Sequence, residues 1–377
     1  MKILCCLLLC LLLGGCASYG TEEQMMVVLL GVDQESDGNI RVIAKVPSFS
    51  SGGDGNSASS SDGYLTLTAS TPDFSSALTL LHATAPRALN YSQTRQLLLS
   101  SDVLLHHTDL LYQLSHVDGM RSQTAVSVCE GKAEDVISAE KAVVGTRLSR
   151  YIDSTLETAL QEGYIPDSTL IRVHTQLDNG YQDALLALTG LSAGDQQQSG
   201  KENSVQAFTQ STDGLAGKLP STSGKSVQWM GAAAMDGRQL SGFLSGFETS
   251  LCRFLMQETR ELTFETQEAT AVFTPRYGPH LSVKQTGSQT TLSVRADLNM
   301  LPKYGAQISP STADALITDE ILRLLSTLQS MQCDALGFGS RAVRNYLTLD
   351  DWENSRWKET YATAQVAADI RIIRMDE

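Results

Sequence analysis

Apolar and β-branched residues fill positions 25–33 and 39–46, with Gln34-Glu35-Ser36-Asp37-Gly38 between them. That pattern predicts a β-hairpin closed by an Asp-Gly turn. Residues 64–69 alternate as a further strand and 96–99 form a short buried one, while Ala77, Leu78, Leu81 and Ala85 between them recur at helical spacing. Ser101 and Asp102 open a helix whose core face is expected to be Val103, Leu104, Leu110, Leu111 and Leu114. A strand over 124–129, a turn at Gly131 and a helix beginning over 133–137 follow. Leu148, Ile152, Leu156 and Leu160 then mark a long amphipathic helix, and 183–188 is the last apolar turn of this region.

The pattern stops at 192–226, a tract rich in Gln, Ser, Gly and Thr that is longer than loops inside compact domains usually are. Residues 48–62 are similarly Ser/Gly-rich and too polar to bury. Beyond the second tract, 227–234 and 240–244 flank Asp236-Gly237 as another hairpin, and a helix runs through Leu251, Phe254 and Leu255. Strands over 262–264 and 271–273 precede a hairpin of 281–284 and 291–298 around Gly287-Ser288. The clearest helix spans 310–331, where Ala313, Ile317, Ile321, Leu324, Leu328 and Met331 repeat every three or four residues behind a Ser309 or Ser311 cap. It ends at Cys333-Asp334-Ala335-Leu336-Gly337-Phe338-Gly339, where two glycines around an aromatic permit a sharp bend. Trp352 and Trp357 sit on a second helical stretch, and Ala364, Val366, Ala368, Ile370 and Ile372 alternate as a final strand.

These elements give an α+β expectation: a mixed α/β multi-domain chain of about three domains, with mainly antiparallel sheets and packed helices. The expected boundaries are a leader over 1–15, an N-terminal domain over 16–190, a flexible linker or insertion over 191–226, a middle domain over 227–262 and a C-terminal domain over 263–377. Lys2 followed by the apolar run 3–13 has the charged start and greasy middle of a secretory signal peptide, and the run is shorter than the about 20 helical residues that span a bilayer core. Leu13-Gly14-Gly15-Cys16 at its end resembles a bacterial lipobox, in which the cysteine thiol takes a diacylglyceryl group and the chain is cut just before it. Cys16 is therefore the expected lipid-attachment residue, and two acyl chains suffice for stable anchoring.

The net charge of −14 excludes electrostatic attraction to nucleic acid or to an anionic lipid surface, so membrane attachment has to rest on lipid. Cys129, Cys252 and Cys333 are an odd, widely spaced trio with neither a disulfide framework nor zinc-site spacing. Asp33, Glu35, Asp37 and Gly38 mimic the start of a calcium loop, but Ala44 stands at the twelfth position where a bidentate Glu is needed. His106 and His107 are adjacent on a helix and so point to different sides, which rules out one shared metal. Gly190-Leu191-Ser192-Ala193-Gly194 matches the nucleophile elbow G-x-S-x-G, which requires a strand running into a helix and a histidine from later in the chain. Here the motif runs into Gln196-Gln197-Gln198 and His280 is the one later histidine. No cofactor and no catalysis are expected.

The order of these pieces resembles the Ger(x)C family, the lipoprotein C subunits of spore germinant receptors. Gly31-Val32-Asp33 with Asp37-Gly38 is similar to the family's N-terminal hairpin. Gly231-Ala232-Ala233-Ala234-Met235, Leu240-Ser241-Gly242-Phe243-Leu244 and Glu248-Thr249 are similar to its central pattern. The most specific match is Leu328-Gln329, Asp334-Ala335-Leu336-Gly337-Phe338-Gly339, Trp352 and Trp357 before a closing strand. The chain departs from the family at Ala17-Ser18, where Trp-Asp usually follows the lipidated cysteine, and at Met235, where Phe is usual. The resemblance implies a three-domain protein without known catalysis. It implies partnership with polytopic A and transporter-like B membrane subunits, and lipid anchoring (a palmitate-type modification) on the extracytoplasmic face of the spore inner membrane. Asp334, Gly337, Phe338, Gly339, Trp352 and Trp357 are the candidate partner surface, and the alternative reading of the same residues is a helix C-terminus with its turn packed on Trp352.

A second reading is a lipid-anchored extracytoplasmic solute-binding protein. That class should show two similar lobes of parallel strands with crossover helices, whereas repeated hairpins favour the receptor subunit.

Overall fold

A computed structural model describes residues 20–48, 63–142, 147–192, 213–219, 226–265, 269–287, 289–305 and 308–374. Cys16, the leader and nearly all of the 48–62 tract lie outside these residues. The first strand, β1 (Gln24–Met26), leads directly into β2 (Leu29–Gln34), which pairs antiparallel with β3 (Ile40–Pro47) as the predicted hairpin. Next, β4 (Tyr64–Thr71) adds to β3, and helix α1 (Phe74–Thr84) follows, capped by the Asp73 carboxylate. The short β5 (Ala88–Asn90) pairs parallel with β1, and β6 (Gln96–Ser100) parallel with β2.

The chain then makes two short helices, α2 (Ser101–His106) and α3 (Leu110–Ser115), where the periodicity predicted one. The break falls at His107, whose Nε2 lies 2.7 Å from Gln34 Oε1 on the first hairpin, while His106 Nδ1 stays 2.9 Å from Asp102 O of its own helix. The two histidines thus part, as their adjacency requires. Strand β7 (Ala125–Cys129), helices α4 (Ala133–Ala139), α5 (Leu148–Gln161) and α6 (Leu170–Asn179), and strand β8 (Leu185–Leu191) complete this half. Helix α6 was not expected from the pattern, and 183–188 is not a helical turn: Asp183 and Ala184 lead into a central strand.

The large sheet has the order β10-β9-β8-β7-β6-β2-β3-β4, where β9 is Val227–Asp236 and β10 is Gln239–Leu244. Its middle strands β2, β6, β7 and β8 run parallel, and antiparallel hairpins flank them on both sides. Strands covered on both faces are apolar throughout, which is why Leu97-Leu98-Leu99 and 185–188 read as unbroken runs. Leu97 and Leu99 join Leu30, Val32, Val126 and Val128 under α1, α2, α3 and α6. Leu98 faces the other way, with Leu29 and Ile43, under Ile137 of α4 and Ile152 of α5.

Of the two expectations for the tract, linker or insertion, its described ends take the second form, at the β8–β9 hairpin. Ser192 N donates to Ser226 O at 2.9 Å, and Ser226 N donates back to Ser192 Oγ at 2.9 Å, so the two ends are zipped together. Its described part, 213–219, is packed: Leu215, Ala216 and Leu219 lie on Leu188 and Met230, which offsets the polarity of their neighbours.

The second sheet has the order β11-β12-β13-β14. Helix α7 (Gly246–Leu255) opens with a Ser245–Glu248 capping box, and β11 (Leu262–Glu265), β12 (Ala269–Thr286) and β13 (Gln289–Gly305) follow. What the pattern offered as two strands over 271–284 is the single long β12, with register shifts around Pro275, Tyr277 and His280. Helix α8 (Pro310–Ser330) packs across this sheet, and β14 (Gln365–Arg374) closes it parallel to β13. The expected middle domain, 227–262, is divided: β9 and β10 extend the large sheet, while Phe247, Leu251 and Phe254 of α7 sit in the second core with Phe264, Phe273 and Leu324.

The supposed calcium-loop start is used otherwise. Glu35 pairs with Arg41 at 2.7 Å, and Asp33 turns inward, accepting from Ala133 N at 2.6 Å and Glu134 N at 3.0 Å. A carboxylate from β2 therefore caps α4, satisfying orphan donors at the positive end of that helix. Asp33→Ala is expected to lower stability by about 2–4 kcal/mol, because it strands buried N–H groups. Urea unfolding followed by far-ultraviolet circular dichroism measures this, and a change under about 1 kcal/mol would show that the contact is dispensable.

Candidate functional site

Helix α8 ends with Gln332 in the left-handed region at φ 52°, which turns the following residues into the interior. Cys333 through Gly339 are buried, and the loop winds around the Asp334 side chain. Asp334 Oδ1 accepts from Phe338 N at 2.9 Å; Oδ2 accepts from Gly339 N at 2.6 Å and from Trp357 Nε1 at 3.1 Å. Gly337 adopts φ 71°, and a Cβ on Gly339 would stand 2.6 Å from Tyr181 O and 2.7 Å from Trp357 Nε1. Both glycines are thus required by this loop, one for its dihedral and one for close packing.

Three short elements follow: α9 (Gly339–Ala342), α10 (Leu349–Asn354) and α11 (Trp357–Thr363). Trp352 of α10 and Trp357 of α11 stack at 5.8 Å, with Tyr181 and Tyr346 edge-on to Trp352 at 5.6 Å each. Tyr361 OH donates to Cys333 O at 3.0 Å. The structure does bring Asp334, Gly337, Phe338, Gly339, Trp352 and Trp357 together. It does so in the interior: Asp334 is 2% exposed, Phe338 0%, Trp352 7% and Trp357 6%. All six residues are buried, the two glycines by their backbone, which is the arrangement of a helix end with its turn packed on Trp352. The loop needs its carboxylate dry and its rings stacked, and that need removes them from the surface.

Asp183, just ahead of β8, is the residue that sequence reasoning missed. Its Oδ2 accepts from Asp334 N at 2.7 Å and from Lys358 Nζ at 2.5 Å, and its Oδ1 accepts from Gly237 N in the β9–β10 turn at 2.9 Å. Lys358 Nζ also donates to Asp236 Oδ1 at 2.8 Å and to Gln332 O at 3.0 Å. Gln182 Nε2 donates to Ala335 O at 2.6 Å. One polar knot thus joins the large sheet to the exit of α8 and to α11. Asp183 and Lys358 are 175 positions apart, and no local motif announces either.

Burial pulls the Lys358 ammonium down, but Asp183 and Asp236 outweigh it and hold the group above its ordinary range. Burial pushes the Asp334 carboxyl up to about 6 against the pull of its N–H donors. Burial likewise drives the Cys333 thiol well above its usual value, so it is no nucleophile. The Ser192 motif is also accounted for. Ser192 is buried just past the end of β8, and its hydroxyl oxygen accepts from Ser226 N at 2.9 Å; the residues that follow it in the motif lie outside the described ones. Gly190 is needed because a Cβ there would stand 2.7 Å from the backbone of Ala216. His280 lies on β12 of the other sheet. Among the described residues no group of His, Cys, Asp and Glu could hold a metal ion.

Comparison with known proteins agrees with this two-part build. The model of the spore germination protein N-terminal domain matches residues 21–191, and that of the spore germination B3/GerAC-like C-terminal domain matches 230–376. The fold is similar to that of the crystal structure of the GerBC protein, with a TM-score of 0.51 and 12% identity, covering 92% of this chain and 97% of that one. No curated protein matches the chain.

Two outcomes follow from the knot. Asp334→Ala leaves three buried N–H donors without an acceptor and is expected to cost about 3–5 kcal/mol, read by chemical unfolding. A carboxyl raised in the folded state holds its proton more tightly there than when unfolded. Its contribution to stability is therefore greatest below the ordinary 3.8, falls as pH rises toward 6 and is level above that. Because Asp334 touches the Trp357 indole, intrinsic tryptophan fluorescence should show a step centred near pH 6 that Asp334→Asn removes. A flat profile between pH 5 and 7 would contradict the assignment.

Proposed function

The chain belongs to the Ger(x)C family of spore germination proteins, and on that premise we propose that it is a lipid-anchored, non-enzymatic subunit of a germinant receptor complex. The observation that carries the reading is the pair of family matches, which between them take in both sheets and omit chiefly the leader and the β8–β9 insertion. Anchoring is supported by Leu13-Gly14-Gly15-Cys16 at the end of the apolar run. At a net charge of −14 the chain has no attraction of its own for an anionic bilayer, and among the described residues no helix is long and apolar enough to cross one. Cys16 then holds the protein to the extracytoplasmic face of the spore inner membrane, beside A- and B-type membrane subunits.

The reading without catalysis is supported by how the reactive groups are used. Asp334 and Asp183 are saturated by N–H donors and Lys358, and the Ser192 hydroxyl is engaged at a strand end. A catalytic site needs an acid, base or nucleophile free to meet a substrate. The solute-binding alternative expects two like lobes. The large sheet does have a parallel centre, closer to such a lobe than the hairpins suggested, but the second sheet is a four-stranded, mainly antiparallel one under a long helix, which favours the receptor subunit.

Cys16→Ala should leave an unlipidated precursor or a released protein, and mass spectrometry of the mature N-terminus together with membrane fractionation is the check. An unmodified Cys16 in a protein still held at the membrane would sink the anchoring claim. Deleting the protein should abolish the response of its own receptor to germinant, whereas Ser192→Ala should leave it intact. A germination assay on the two strains decides, and loss of response with a stably expressed Ser192→Ala protein would revive a hydrolase.

A further inference from the structure

A groove of about 540 Å³ lies between α1, the residues around β5, and the segment that runs through α3 to Asp118. This size falls within the range of small-molecule sites. Phe74, Leu78, Leu89 and Val117 form its apolar wall. At its floor is Tyr91, 3% exposed, a buried phenol that must find a partner. Among the described residues its partner is His82 Nε2 at 3.4 Å, beyond the about 2.7–3.2 Å that a nitrogen–oxygen hydrogen bond usually spans. A buried donor with a stretched partner, in a roomy apolar groove, is how a site for an external hydroxyl looks before it is filled.

Charge narrows the ligand further. The groove's described lining includes Asp73 and Asp118 and neither lysine nor arginine. Asp73 is already engaged, its oxygens accepting from Ser76 N at 2.9 Å and Ser76 Oγ at 2.7 Å, so Asp118 is the carboxylate left at the mouth. His116, also in the lining, lies against Tyr112 with the ring centroids 4.3 Å apart and the planes tilted by 39°, which gives that side two aromatic rings. We propose that this groove binds a small, uncharged or cationic molecule with an aromatic body and a hydroxyl group, the hydroxyl inserting between Tyr91 and His82. Leu89 is in register with Met25 of β1, so a ligand here would bear on the strand nearest the expected lipid anchor. The assignment stands apart from the receptor reading, because it is tested on the purified full-length lipoprotein.

The probes are tyramine, phenethylamine and 4-hydroxyphenylacetate, which separate the hydroxyl from the charge. Titration calorimetry should give tyramine a Kd at or below about 1 mM. Phenethylamine, which lacks the hydroxyl, should bind about 10-fold more weakly, and the anionic 4-hydroxyphenylacetate should not bind measurably. Tyramine should also slow carbethoxylation of His82 and His116 by diethylpyrocarbonate while leaving His280 on the second sheet unaffected. Leu78→Trp fills the groove and should abolish binding. Tyr91→Phe, which keeps the ring, should make tyramine and phenethylamine equal, and it decides the matter should the tryptophan variant fail to fold. The proposal is overturned by no saturable tyramine binding up to about 10 mM, by equal binding of all three probes, or by unchanged binding in folded Leu78→Trp. It is equally overturned if His82 and His116 become protected as protein concentration rises, without ligand, since that would assign the groove to a second copy of this chain.

Discussion

Asp183 is a carboxylate taken almost wholly out of water, and the desolvation of such a group is recovered only if every lone pair finds a donor. Here three donors arrive from three places: the Gly237 amide of the β9–β10 turn, the Asp334 amide at the exit of α8, and the Lys358 ammonium of α11. None of these segments is a neighbour of another in sequence, so the carboxylate is satisfied only when the two sheets are docked in one arrangement. Buried ion pairs contribute little net stability compared with apolar replacements, but removing one partner is expensive. The knot therefore fixes how the halves meet more than it fixes how tightly. Tightness comes from the apolar packing of the second core, which reaches across to Leu185, Ala232 and Ala234 of the large sheet.

The same device recurs on a smaller scale. Asp33 reaches from β2 to the first amides of α4, and Asp334 reaches to Phe338 and Gly339 where α9 begins. In each case a buried carboxylate supplied from outside a short helix satisfies the amides at its start. Helices of this length do not hold themselves in water. An acceptor fixed in the core converts an orphan N-terminus into a positioned one. Burial raises both carboxyls above their ordinary values, and these N–H donors pull them back down.

Much of this was legible in the chain. The β2–β3 hairpin, helix α8 with its Ser309 cap and the closing β14 all carry strong periodicity and turn signals, and they form where the pattern places them. What the pattern could not give was direction and partnership. The run 185–188 is compatible with a helical turn or a buried strand, and its pairing with β7 on one side and β9 on the other makes it a strand. Helix α6 carries its buried face on little more than Leu170 and Val173, too short a signal to separate from loop. The motif around Asp334 was visible, but whether its rings face a partner or each other depends on Tyr181, far away in sequence, together with the nearby Tyr346. Asp183 had no signal beyond being an acidic residue next to an apolar strand.

Strand β8 also sets the knot and the insertion at opposite ends of one element. Its start carries the knot at Asp183, and its end at Leu191 opens into the insertion that closes again at Ser226. At roughly 3.3 Å per residue, those two ends stand about 25 Å apart. The zipped pair Ser192–Ser226 closes the hairpin, and the described segment 213–219 packs on Leu188 and Met230. The family matches stop at 191 and resume at 230, on either side of that tract. The matched ranges hold Asp183 and its donors Gly237, Asp334 and Lys358, and the tract between them hangs from the far end of the strand that carries the knot.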